Sequence, residues 1–142
     1  MNLMNYSKDK FEKSQKMEVL YPTGAKSGGV IYIRSLKSKA VQTKIDEIAK
    51  LNNQVKAQGV GAAVDNDIEI ACEIVDSIDG FTIEEADNTI GFELSDGNKI
   101  VSTRENIKLL LENFPFIRSQ IAVKAQDDNF FYKSSETEQK TA

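Results

Sequence analysis

Apolar and polar positions along the chain follow two different periods. Val19 and Tyr21 alternate with polar neighbours, a loop rich in Gly, Ser and Lys follows, and Val30, Ile31, Tyr32 and Ile33 form a β-branched and aromatic run. This pattern predicts a β-hairpin whose connection is longer than a tight turn. The period then lengthens. Val41, Ile45, Ile48, Leu51 or Asn52, and Val55 recur at helical spacing over residues 38–57, opposite Gln42, Lys44, Asp46, Glu47, Lys50 and Lys56. The spacing predicts an amphipathic helix with a solvated outer face, capped by Ser35 or Ser38. Gly59-Val-Gly61 breaks it. A second helix is expected over roughly 63–78, with Val64, Ile68, Ala71, Val75 and Ile78 in one stripe and Ile70, Cys72 and Ile74 on its flanks. Apolar residues cover more than half of its circumference, which predicts a central, buried helix.

Beyond Gly80-Phe81 the chain is turn-rich, with short strand candidates at Thr82–Ile83, Ile90–Leu94 and Lys99–Val101 and a tight-turn signal at Asp96-Gly97. A small irregular hairpin is expected, leading to Ser102. There Ser102 and Glu105 have the spacing of a capping box. Ile107, Leu110, Leu111 and Phe114 share one face of the helix that follows. Pro115 lacks an N–H and suits the first turn of a further helix, with Ile117, Ile121 and Ala125 inward. The fold class is therefore α+β and predominantly helical: an N-terminal β-hairpin, about four helices and a small second hairpin.

The flanks read differently. Residues 1–16 are polar and mixed in charge, with Tyr6 and Phe11 as their aromatics. They are expected to form a flexible or loosely docked arm, or an arm that orders on a partner through those two rings. Residues 133–142 have no apolar residue before the final alanine and are expected to be a disordered tail. Residues 17–132 are left as a single globular domain, and the 142 residues of the chain, 40% apolar with seven Phe and four Tyr, suffice for a core.

The formal net charge of −4 gives no basic patch for nucleic acid, and no apolar run is long enough to span a bilayer. The first residues lack the apolar segment of a signal peptide, so a cytoplasmic location is expected. The chain contains no histidine and one cysteine, Cys72, which reads as a small buried hydrophobe. The commonest general base and the commonest transition-metal ligand are thus missing. No cofactor or metal is expected.

Gly24, Gly28 and Gly29 do not have the spacing of a phosphate-binding loop, because Lys26 lies between them and no helix follows. Asp65-Asn-Asp67 resembles the opening of a calcium loop but lacks its glycine and closing glutamate, and acids in a first helical turn favour the macrodipole instead. Asp76, Asp79, Glu84, Glu85 and Asp87 offer paired carboxylates only by proximity in sequence. A catalytic role is not expected.

One combination of features is more specific. Tyr21-Pro-x-Gly24 leads through Ile31-Tyr-Ile-Arg-Ser35 into a polar helix. A central apolar helix ends at Gly80-Phe81. There follow Asp96-Gly97, Ser102 with Glu105-Asn106, Leu110, Phe114-Pro-Phe-Ile-Arg-Ser-Gln-Ile121 and Asp128-Asn-Phe130. Over residues 17–132 this resembles the tail assembly chaperones of long-tailed bacteriophages and prophages. It departs from them at Phe81, where the resemblance implies tryptophan.

The resemblance implies a non-enzymatic protein of the host cytoplasm, absent from the mature virion. Such a protein binds the tape-measure protein, keeps it soluble and helps tail-tube protein assemble around it, and it can be a homo-oligomer. It also implies that the polar tail suits a linker to a frameshifted extension. The alternative is a structural virion protein, a tail-tube or head–tail connector component. A chaperone surface needs exposed apolar or aromatic groups beside polar ones, and the candidates are Phe116, Arg118, Phe130, Phe131 and Tyr132. Phe114 and one of Phe130 and Phe131 are expected in the core, and Phe116 and Tyr132 at the surface.

Overall fold

The computed structural model describes residues 3–58, 66–84, 89–92 and 98–132 of the protein. Strands β1 (Gln15–Leu20) and β2 (Lys26–Ile33) form the expected hairpin, with Tyr21 and Ala25 closing its connection through a 2.8 Å bond from Tyr21 N–H to Ala25 O. Helix α1 (Lys39–Gln58) and helix α2 (Asn66–Ile74) follow. The chain continues through strands β3 (Val75–Asp79), β4 (Phe81–Glu84), β5 (Thr89–Phe92) and β6 (Asn98–Lys99) into helices α3 (Arg104–Asn113) and α4 (Pro115–Ala125), with a last helical turn over 128–132. Helices predominate, and the strands form antiparallel three-stranded sheets ordered β1-β2-β3 and β5-β4-β6. The α+β reading holds.

One expectation fails at the second helix. Residues 75–78 are strand, and Val75 and Ile78 are buried as part of a sheet face rather than of a helical stripe. Arg34 marks the change. Its backbone N–H donates to Ile74 O at 2.8 Å, and its guanidinium donates to Glu73 O at 2.8 Å and to the Asp76 carboxylate at 2.7 Å. Carbonyls freed at a helix end need partners. Here β2 supplies them from the end of its own strand, and the chain passes directly into register beside it, Ile31 opposite Ile78 and Tyr32 opposite Ser77.

The inner face of the first sheet carries Met17, Val19, Ile31, Ile33, Val75 and Ile78, all buried. With Val41 of α1, Ile68, Ala71 and Cys72 of α2, Ile107, Leu110 and Leu111 of α3, and Ile117, Ile121 and Ala125 of α4, they make one cluster that also takes in Phe11, Phe81 and Phe131. Cys72 is buried as expected, and burial pushes its thiol up from the ordinary range. Leu51 is exposed, so the inward position at the fourth turn of α1 falls to the half-buried Asn52.

Residues 3–16 pack on the chain itself. Two 3-10 turns, Leu3–Tyr6 and Lys8–Glu12, carry Phe11 against Phe131 with ring centroids 6.3 Å apart. Tyr6 meets Tyr132 edge-on at 5.4 Å. Glu12 then supplies the cap of α1, its carboxylate accepting from Lys39 N–H at 3.1 and 3.2 Å. Neither serine side chain caps the first turn as expected: the Ser35 hydroxyl accepts from Lys37 N–H at 3.1 Å, and the buried Ser38 hydroxyl has no partner among the described residues. The two residues expected to anchor the arm on a partner are therefore seated on the C-terminal end of the same chain.

The cap of α3 also moves by one position. Thr103 Oγ1 accepts from Asn106 N–H at 3.2 Å, while the Ser102 hydroxyl accepts from Ile78 N–H at 2.9 Å and donates to Ile78 O at 3.1 Å. Gly80 turns the chain from the first sheet to the second with φ +82°, and a Cβ there would stand 2.7 Å from Gly28 O. Only glycine fits both demands. Asp96-Gly97 and residues 133–142 lie outside the described residues.

Candidate functional site

The corner at Pro115 decides what the candidate surface looks like. Phe114 ends α3 with φ −127° and ψ 80°, its N–H donating to Leu110 O at 3.1 Å, and Pro115 opens α4. A proline at the first helical position costs no hydrogen bond, because that N–H has no intrahelical acceptor. From this start Ile117, Ile121 and Ala125 point into the core at four-residue intervals. Phe116 is left on one flank of α4 and Arg118 on the other.

On the Phe116 side lies an open apolar cavity of about 370 Å³ between the β1–β2 connection, the second sheet and the α3–α4 corner. Tyr21, Phe81, Ile90, Phe114 and Phe116 supply most of its wall. Phe114 and Phe116 are both half-buried and stand edge-to-face at 6.3 Å. Phe114, expected in the core, thus shares the cavity wall with the core residue Leu110.

On the Arg118 side a second open cleft, about 330 Å³, runs between α2 and α4. Its floor is Ile70, Ala71, Ile74, Ile121 and Ala125, with Leu36 at one end. Arg118 is half-buried at its edge and forms no ion pair among the described residues.

The remaining candidates belong elsewhere. Phe131 is fully buried and belongs to the core, which removes it from the exposed surface. Tyr132 is half-buried under Tyr6 and Phe11. Phe130 is half-buried beside Phe131, and the Lys124 ammonium stands 5.4 Å from its ring centre. The five residues therefore do not converge. Phe116 and Arg118 face different clefts, and residues 130–132 form a third cluster closed by the N-terminal turns.

The acids of the middle segment are held by cations. Asp76 pairs with Arg34, and Asp79 pairs with Lys99 at 3.1 Å and accepts from Gly80 N–H at 3.0 Å. These contacts hold the Asp79 carboxyl below its ordinary range, the Lys99 hydrogen bond contributing most. Asp67 falls in the first turn of α2, as expected, and Glu69 lies there with it. Burial pushes the Glu69 carboxyl up, but hydrogen bonds and charge from Arg104 and Lys108 outweigh it and leave the group below its ordinary range. Among the described residues no three of His, Cys, Asp and Glu are grouped to hold a metal ion, and no helix is long and apolar enough to cross a membrane. Asp65, Glu85 and Asp87 lie outside the described residues, as does the Glu84 side chain.

Two polar side chains each pair with one residue on an edge strand of the first sheet. Gln120 of α4 lies beside edge strand β1, where its amide accepts from Leu20 N–H at 3.0 Å and donates to Leu20 O at 2.7 Å. Ser102 does the same for Ile78 on the opposite edge strand, β3. Unpaired strand edges recruit other strands, so these contacts keep added strands off the edges at Leu20 and Ile78. Sequence reading had no signal for the Gln120 contact, which joins residues 100 positions apart. Comparison with protein-family models, with curated proteins and with solved structures finds no match.

Proposed function

We propose that the protein is a tail assembly chaperone, which binds a tape-measure protein and assists assembly of the tail tube around it. The observation that carries this reading is the apolar cavity beside Phe116, open among the described residues and walled by Tyr21, Phe81, Ile90 and Phe114. A chaperone of a long helical chain needs an apolar concavity that water can leave at low cost, bordered by polar surface that keeps the free protein in solution. Phe116 is the anchor on this reading: it is half-buried, its orientation is set by Phe114, and it sits one residue after the proline that starts a rigid helix. Binding through a pre-ordered aromatic costs little side-chain entropy. The resemblance of the 102–132 segment to that family supports the same role.

Co-expression with the tape-measure protein encoded alongside it is the test. The expected result is a soluble complex that survives size-exclusion chromatography, lost in Phe116→Glu while the free variant keeps its helical circular dichroism. Failure of the wild-type protein to bind the tape-measure protein, or to change its solubility, sinks the proposal. Mass spectrometry of purified particles separates this role from that of a virion component, which would be present in stoichiometric amount.

A further inference from the structure

We infer that two copies of the chain pair through the edge of β1, antiparallel about Met17, and so join their first sheets into one. The inference is drawn from the strand itself and holds whichever partner the protein binds.

The backbone groups of successive residues in a strand point alternately to its two sides. Arg34 N–H donates to Ile74 O on the β3 side of β2, so Tyr32 and Val30 bond toward β3, and Ile33 and Ile31 toward β1. Gln15 and Met17, opposite Ile33 and Ile31, therefore bond inward. Lys16 and Glu18 point outward. So does Leu20, whose N–H and carbonyl are held by Gln120. The outward N–H and C=O groups of Lys16 and Glu18 have no partner among the described residues.

Two outward residues on either side of an inward one suit an antiparallel neighbour. Lys16 meets Glu18 of the second copy, Glu18 meets Lys16 of the second copy, and each pair exchanges both N–H···O bonds. Gln120 selects this register. Pairing centred on Glu18 would set Glu18 against itself and Lys16 against Leu20, whose backbone groups are already bonded. Pairing centred on Met17 uses only the unbonded positions and sets opposite charges face to face, whereas like charges directly opposite are destabilising. Both side chains are exposed on the outer face of the sheet. Their contacts within the chain are weak: Glu18 has the exposed Lys26 at 3.8 Å, and Lys16 acts on Asp79 through charge alone.

Apolar surface borders the same edge. An open groove of about 260 Å³ lies between β1 and α4, with Met17, Leu20 and Val123 in its wall. Gln120 also lines it, which places the groove on the side from which a second strand approaches. Val123 is 68% exposed and Leu20 37%. A second copy brings its own groove to the same axis, so the pairing removes apolar area from water as well as satisfying main-chain groups.

Sedimentation velocity of the full chain over about 1–200 μM tests the pairing, and a dimer with Kd of about 1–100 μM is expected for a small interface. Lys16→Glu and Glu18→Lys each set like charges opposite one another and are expected to weaken the dimer by about tenfold. An equimolar mixture of the two variants again sets opposite charges across the axis and is expected to restore wild-type association, which misfolded variants do not do. Glu18→Pro removes an outward N–H that no bond within the chain uses, and it is expected to abolish the dimer with circular dichroism unchanged. The inference is overturned if wild type stays monomeric over that range, if either charge variant alone dimerises like wild type, if their mixture associates no better than each alone, or if Glu18→Pro dimerises like wild type. Binding of tape-measure protein is read separately and decides the chaperone proposal by itself.

Discussion

Removing the Phe11 ring tests the claim that the N-terminal turns belong to the core. Phe11 is 7% exposed and lies 6.3 Å from the Phe131 ring and 5.4 Å from Tyr132, with the Lys37 ammonium 5.5 Å from its centre. Phe→Ala in a core costs about 3–5 kcal/mol through lost transfer energy and the cavity left behind. The lower end applies here, about 3 kcal/mol, because the half-buried Tyr132 and the exposed Lys37 border the ring and can settle into part of the space. Urea denaturation followed by circular dichroism measures it, with an unchanged slope showing that the folded state keeps its compactness. Phe131→Ala and the double variant complete a cycle, and a coupling of about 0.5–1.5 kcal/mol is expected for a directly packed aromatic pair. A Phe11→Ala protein within about 0.5 kcal/mol of wild type refutes the reasoning, since that is the effect of a substitution on a loose, solvated arm.

Other substitutions probe the remaining joints. Ser102→Ala and Gln120→Ala each remove two hydrogen bonds from a sheet edge and are expected to cost about 1–2 kcal/mol in urea melts. Combined, they should cause concentration-dependent association beyond that of wild type by light scattering, and a double variant that scatters like wild type would count against this role for the two contacts. Gly80→Ala places a Cβ against Gly28 O at a positive φ, and a loss of more than about 2 kcal/mol is expected, read as a lowered melting temperature. Glu69 has a folded-state pKa below its unfolded value, so its ion pairs with Arg104, Lys108 and Lys44 stabilise the fold above the unfolded pKa. That contribution is lost as pH falls from about 4.3 through the lowered folded value, and Glu69→Gln should flatten this part of the stability–pH curve.

Local pattern determined much of the fold because the interactions involved are local. The β1–β2 hairpin, the helical period of α1, the inward face of α3, the break at Pro115 and the inward residues of α4 all follow from neighbours a few residues apart. The burial of Cys72 was legible for the same reason. The candidate surface was legible only in part. Phe116 and Arg118 could be placed near a helix start, but which cleft each faces depends on the elements packed beside α4.

Tertiary structure alone decided the rest. The run Ile74-Val75-Asp-Ser-Ile78 fits either period, and Arg34 with the open edge of β2 selected the strand. Once β3 lay there, the Ser102 hydroxyl was taken up by Ile78 and the α3 cap passed to Thr103. Glu12 capping α1, Gln120 bonded to Leu20 and Phe11 seated on Phe131 likewise join residues far apart in the chain. A hydrogen bond or a ring contact depends on distance in space, and sequence spacing encodes that distance only within one helix or hairpin. Composition marks residues 1–16 as a flexible or loosely docked arm because they are mostly polar; which of their groups meet the fold, the Phe11 ring and the Glu12 carboxylate, depends on the tertiary structure.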